Sequence, residues 1–232
     1  MVSLVPSVTE TLLAWGVVPV GVTRFCEHPE LPAVGGTKNP DLERIVALAP
    51  DLVVVDREEN RRPDADALTA AGLALHVTHV RSVADVAPTL AALREALGLG
   101  EGKGSALPPP AQPERPVRVY VPIWRRPWMS ISGATYGSSV LAAAGAHNVL
   151  AGHPDAYPAV GPNEVAALRP DAVLAPSEPY PFAARHAGLF AGLAPMVPVD
   201  GKDLFWWGTR TPAAVARLRG VVGSVSARCR PS

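Results

Sequence analysis

Apolar and polar positions alternate along this chain between two patterns. Short runs of consecutive apolar residues read as buried strands: Val2–Val5, Val20–Thr23, Asp51–Asp56, the stretch ALHVTHV (74–80), Arg118–Ile123 and Met196–Val199. Between them, apolar residues recur at helical spacing and stop at glycine or Pro-Asp signals. Ser7 and Glu10 have the spacing of a capping box for the first such helix. Ser82, with Asp85 three positions on, predicts a helix start, and VADVAPTLAALREAL carries the pattern on to Leu97. At ~1.5 Å per residue that helix is a rod of roughly 25 Å, with Pro88 removing one backbone donor.

The pattern occurs twice. ERIVALAPDLVVVDREEN (43–60) matches NEVAALRPDAVLAPSEPY (163–180) at constant offset, including Ala47/Ala167, Leu48/Leu168, Pro50/Pro170, Asp51/Asp171, Val53/Val173 and Glu58/Glu178. Upstream, SVTETLLAWGVVPVG (7–21) resembles GSSVLAAAGAHNVLA (137–151), where Gly16 and Gly145 each close a helix. Two copies of a strand–helix–strand–helix–strand unit predict an α/β protein with two Rossmann-like lobes, each built on a parallel sheet. We assign residues 1–81 to an N-terminal lobe, 82–116 to a bridging helix and a Pro/Gly-rich linker, and 117–232 to a C-terminal lobe. The linker contains GEGKGS, but Lys103 is followed by Gly104 after a helix, which is not a phosphate-binding loop.

Ligands of open parallel sheets bind beyond the carboxyl ends of the strands. Five groups of unusual residues fall there: Glu58, Glu59 and Asn60; Trp124, Arg125, Arg126 and Trp128; Glu178 and Tyr180; Trp206 and Trp207; and Cys26-Glu27-His28. Aromatic faces stack on planar or cationic groups, and arginines grip carboxylate or phosphate bidentately. We add Tyr136 and Tyr157 to the candidate ligand-binding set. Each has a packing alternative: Trp128 and Trp207 as core, the arginines as solvated or paired with Glu58 and Glu178, the glutamates as helix-start charges. Trp15 is read as packing.

The bulk numbers narrow the classes. Lys+Arg and Asp+Glu are both 21, which argues against a nucleic-acid protein. No apolar run approaches the ~18 residues of a membrane span. The start lacks a basic region and a cleavage site, so it does not read as a signal peptide. Two distant cysteines offer no disulfide framework or zinc site. His76 and His79 point to opposite faces of one strand, and no protein-held metal, cofactor or catalytic constellation is expected.

The runs VSLVPSVTETLLAWGVVPVGVT, GGTKNPDLERIVALAPDLVVV, SGATYGSSVLAAAGAHNVL and YPAVGPNEVAALRPDAVL resemble, in order and from residue 2 to about 220, the class III substrate-binding proteins. These are the helical-backbone receptors of ABC importers for vitamin B12, haem and iron–siderophores. The resemblance implies two lobes joined by one long helix and a ligand cleft between them. It also implies a small-molecule ligand, an ABC permease partner, no catalysis and a monomer, with any cobalt or iron belonging to the ligand. By resemblance the protein works in the periplasm or at the cell surface; if the chain as given is full length, it works in the cytoplasm. Three features depart from the family: the helix is shorter, no leader or lipid-attachment cysteine is present, and Arg62 and Asn163 (with Glu164 beside it) stand where docking glutamates are usual. The expected function is therefore binding of a bulky metal chelate for uptake. The alternatives are a cytoplasmic relative acting as an enzyme or regulatory small-molecule module, or a scaffold for a protein partner.

Overall fold

The computed structural model describes all residues except 101, 103–106, 110 and 230–232, so most of GEGKGS lies outside the described residues. The chain divides into two compact units, each carrying a four-stranded parallel sheet.

The first unit comprises Met1–Val80, most of helix α4 and Trp207–Thr209. Its elements are β1 (Val2–Ser3), α1 (Pro6–Ala14), β2 (Gly21–Val22), β3 (Gly35–Gly36), β4 (Asn39–Pro40), α2 (Leu42–Ala47), β5 (Val53–Asp56), α3 (Arg62–Ala70), β6 (Leu75–Thr78) and α4 (Val83–Ala96). The sheet runs β2-β1-β5-β6, with Val2 opposite both Gly21 and Val53, while β3 and β4 form a small antiparallel ribbon. All four residues of β5 are buried, as a central parallel strand covered on both faces requires. Val2, Leu4, Val34, Ile45, Val53, Val55 and Leu68 form the core.

The second unit holds β7 (Val117–Tyr120), β8 (Pro122–Arg125), β9 (Trp128–Ser130), α5 (Tyr136–Ala143), β10 (Ala146–Asn148), α6 (Pro162–Val165), β11 (Ala172–Pro176), β12 (Met196–Val199), α7 (Gly201–Phe205) and α8 (Thr211–Cys229). Its sheet runs β10-β7-β11-β12. Counting only the strands of each four-stranded sheet, both have the order second, first, third, fourth, so the duplication seen in the sequence is a duplication of topology. Gly16 and Gly145 both take positive φ after their helices, 76° and 90°. A further parallel was not visible in the sequence. Among the described residues, the two non-glycine residues with positive φ are Ala49 (42°) and Arg169 (47°), which occupy equivalent repeat positions just before the Pro-Asp pair. A following proline bars the right-handed helical region to each, so both helices end there in the same left-handed turn.

Two local expectations are corrected. Helix α1 starts at Pro6, with Val5 as an N-cap that makes no side-chain bond; the capping box at Ser7 and Glu10 does not form. Proline at the first helical position supplies the right φ and has no N–H to satisfy, so the helix begins one turn-position early. Ser7 is left inside the helix, buried, with its hydroxyl making no hydrogen bond. The predicted strand Arg118–Ile123 is also two elements: β7 ends at Tyr120, and Pro122, which cannot donate to a central ladder, opens the antiparallel ribbon β8–β9.

Helix α4, between the two sheets in sequence, has 14 residues with Pro88 inside it, about 21 Å long at the usual rise. Among the described residues no helix is long and apolar enough to cross a membrane.

Candidate functional site

The residues that motivated the functional reading sit on the strand-end segments of each unit. In the second unit, β8 and β9 project Trp124 and Trp128 from a ribbon whose two-residue turn is Arg126-Pro127. Trp124 pairs across with Met129, and Arg125 with Trp128. The ribbon is anchored by the Ser130 hydroxyl, which donates to the Val121 carbonyl at 2.7 Å, and by the Ser130 N–H donating to Pro158.

Around it lies an aromatic cluster. Trp128 stacks on Phe182 (6.2 Å between centroids, 7° between planes) and meets Phe190 edge-on at 5.8 Å. Phe182 touches Tyr180 at 4.7 Å, and Tyr180 meets Trp124 edge-on at 5.8 Å. Phe182 and Phe190 are buried, Trp128 and Tyr180 half-buried, and Trp124 is 43% exposed. The cluster therefore grades from core to surface, ending in a large aromatic side chain that the fold leaves in water. Each aromatic pair contributes roughly 0.5–1.5 kcal/mol beyond area burial, so the platform is stiff before any ligand arrives. Gly161 permits the packing, since a Cβ there would come within 3.0 Å of the Trp128 ring.

His186 lies 5.6 Å from Tyr180, its Nδ1 accepting the Ala183 N–H. Burial first, then the guanidinium groups of Arg185 and Arg125, hold its imidazole below the usual range. Arg125 is half-buried and Arg126 exposed. Neither pairs with Glu178 or with any other described residue. Glu178 is half-buried against α7; its backbone oxygen and nitrogen lie 2.6 and 2.7 Å from where a Cβ on Gly201 would stand.

The remaining candidates of this unit do other things. Trp206 carries cations rather than an open face: Lys202 Nζ lies 4.7 Å and the Arg210 guanidinium 5.7 Å from its ring centre. Tyr136 is buried, its hydroxyl 2.9 Å from that of Thr211, and burial pushes its pKa up to about 12. Tyr157 is 43% exposed.

Asp203 was not singled out in the sequence, yet it organises this region. It is buried, with Arg217 Nε and an Arg217 terminal nitrogen at 2.8 and 2.6 Å and Arg210 at 3.2 Å. Burial pushes its carboxyl up, but the two guanidinium groups outweigh that and hold it below the usual range. Phe182, Phe190 and Arg185 were also missed, although the aromatic run YPFAARHAGLF after a strand carried the signal.

In the first unit, Glu58, Glu59 and Asn60 follow β5 as expected, but with distinct roles. Asn60 is buried; it accepts the Asp56 N–H and donates to the carbonyls of Leu4 and Thr37 at 3.2 and 3.0 Å. The Asp56 carboxylate accepts the N–H groups of Glu58 and Glu59 and the Thr78 hydroxyl. This pair pins the loop and presents Glu58 exposed and Glu59 half-buried. Burial raises the Asp56 pKa despite those hydrogen bonds. Trp207 is a core residue, 4% exposed. Among the described residues no group of three or more His, Cys, Asp or Glu side chains comes together to hold a metal ion.

Each of the two α/β units carries a parallel sheet, and the second adds an aromatic, arginine-edged surface after its strands. Residues 1–98 match the family model described as periplasmic binding protein. The chain is 27% identical over 188 residues to the vitamin B12-binding protein of Salmonella typhimurium, covering 75% of this chain and 71% of that one. Its fold matches the periplasmic vitamin B12-binding protein of Vibrio cholerae at a TM-score of 0.75, with 18% identity and 97% and 96% of the two chains covered. It matches the apo periplasmic heme-binding protein of Roseiflexus sp. RS-1 at 0.77, with 21% identity and 97% and 98% covered. These likenesses are all to binding proteins: the family model covers Met1–Val80 and α4, and the solved structures share the fold over nearly the whole chain.

Proposed function

We propose that this protein is a non-catalytic receptor for a bulky, partly planar metal chelate (a corrinoid, haem or ferric siderophore), which it carries to an ABC permease. It acts outside the cytoplasmic membrane and as a monomer, and any metal arrives with the cargo. The observation that carries this reading is Trp124, left 43% exposed at the end of a pre-packed aromatic cluster on the strand-end side of the second sheet. A rigid aromatic face of this kind gains stacking area at little entropic cost. The likeness to vitamin B12- and heme-binding receptors supports the ligand class. Trp124, Trp128 and Tyr180 supply the apolar surface, and Arg125 and Arg126 meet acidic groups. Glu58, Glu59 and Glu178 meet amide or cationic ones, with Tyr157 and Trp206 at the periphery. Calorimetric titration with cyanocobalamin, ferric protoporphyrin and ferric siderophores tests it: at least one binds in the micromolar range or tighter, and Trp124→Ala weakens that binding. Only millimolar binding to all three refutes the reading.

A further inference from the structure

Several arginines among the described residues of the second unit carry no side-chain partner, and three of them stand by the aromatic cluster. Arg125, Arg126 and Arg185 make neither a hydrogen bond nor an ion pair with any described residue. Other arginines of the same unit are spent. Arg118 donates to the Leu168 carbonyl at 2.7 Å, Arg219 to those of Pro109 and Ala143, and Arg210 and Arg217 close on Asp203. Arg169, before β11, and Arg228, in the last turn of α8, are also unpaired but exposed elsewhere; the other three belong to the aromatic edge. Arg125 is the cross-strand partner of Trp128, Arg126 stands in the ribbon turn, and Arg125 and Arg185 both depress the His186 pKa. His186 in turn packs on Tyr180 and Phe182.

Arg125, half-buried, has given up part of its water and offers a rigid fork of donors, with exposed Arg126 and Arg185 adding charge beside it. Beside an apolar platform its field is screened less than on an open surface. The group that satisfies it is a carboxylate held at the rim of whatever lies on the platform. A chelate edged with neutral amides would cover these charges without pairing them.

Resting on the receptor reading above, we propose that this edge selects a planar chelate bearing free carboxylates, and that Arg125, Arg126 and Arg185 are its specificity-determining residues. An amide-edged corrinoid is then the poorer ligand.

The test uses the whole chain with three probes in one buffer: ferric protoporphyrin IX, its dimethyl ester, which has the same plane with the carboxylates masked, and cyanocobalamin. The diacid is expected to bind at least roughly tenfold tighter than the diester, as charge-assisted pairing implies. Arg125→Gln and Arg185→Gln each weaken the diacid by roughly tenfold and the diester by less than about threefold. Arg228→Gln, a charge removed elsewhere on the surface, leaves both unchanged, and melting curves confirm that the variants fold. Equal binding of diacid and diester, discrimination that survives the triple Gln variant, or tighter binding of cyanocobalamin overturns the proposal. If cyanocobalamin or a ferric siderophore binds and the porphyrin diacid does not, the carboxylate selection fails while the receptor reading stands. If no chelate binds, both fail.

Discussion

Replacing Asp203 by asparagine keeps the shape of the most highly coordinated buried carboxylate of the second unit and removes its charge. Asp203 is 3% exposed and accepts three contacts from two guanidinium groups, at 2.6, 2.8 and 3.2 Å. Hydrogen bonds to charged groups contribute about 1.5–3 kcal/mol each when buried. The Arg217 side chain is 53% exposed and can rehydrate, so its two bonds together are discounted to roughly 1 kcal/mol. Arg210 is 14% exposed, and its other carboxylate, Asp200, stands 3.8 Å away and half in water, so its contact keeps most of its value. The substitution should therefore cost about 2–4 kcal/mol, which lowers the melting temperature by roughly 5–12 °C for a protein of this size. The pH dependence carries a sign. Because the folded carboxyl is held below the ordinary aspartate value by its two guanidinium partners, the unfolded chain binds the proton more readily. The stabilisation is present above that value and is lost as pH falls through the folded pKa. Thermal scans of wild type and Asp203→Asn should show the full gap at pH 7 and a shrinking one below about pH 4. A shift under about 2 °C at pH 7, or a gap that widens on acidification, refutes the reasoning.

Asp56 should behave in the opposite way. Its folded pKa is raised, so its ionisation costs the folded state stability as pH rises from 3.8 through the folded value. Asp56→Asn, which keeps an acceptor for the Glu58 and Glu59 N–H groups, should cost no more than about 1 kcal/mol at pH 7. In urea titrations wild type should gain on this variant as the pH is lowered below 5; a gap that is constant with pH argues against a buried, strained carboxylate. Trp128→Ala, half-buried between two phenylalanines, should cost roughly 2–3 kcal/mol, below the 3–5 of a fully buried ring, whereas exposed Trp124→Ala should stay within about 0.5 kcal/mol. Equal costs in denaturant melts would contradict the grading from core to surface. Gly201→Ala places a methyl against the Glu178 backbone and should cost about 2–4 kcal/mol, measured as a lowered urea midpoint; a neutral result would mean that the strand-end loop yields freely.

Both parallel sheets and the doubling of the unit were legible because parallel strands buried on two faces must be runs such as VVVD and AVLAP, and because the Pro-Asp stops recur in register. The placement of Glu58, Trp124 and Tyr180 after strand ends followed from the same periodicity. Local rules misjudged the start of α1, where a proline outranked a serine cap, and the end of β7, where Pro122 turned one strand into a ribbon.

The chain's own letters thus determined which segments become strands and helices, that the unit is doubled, and which strand ends carry aromatic and charged residues, since periodicity is a property of neighbours in sequence. Only tertiary structure decided which of those side chains meet. It buried Trp207 and Tyr136, gave Trp206 to two cations, joined Trp128 to Phe182 and Phe190 from more than 50 residues away, and left Arg125 unpaired. Burial and pairing depend on what segments distant in sequence bring to the same place, and no local pattern contains that information.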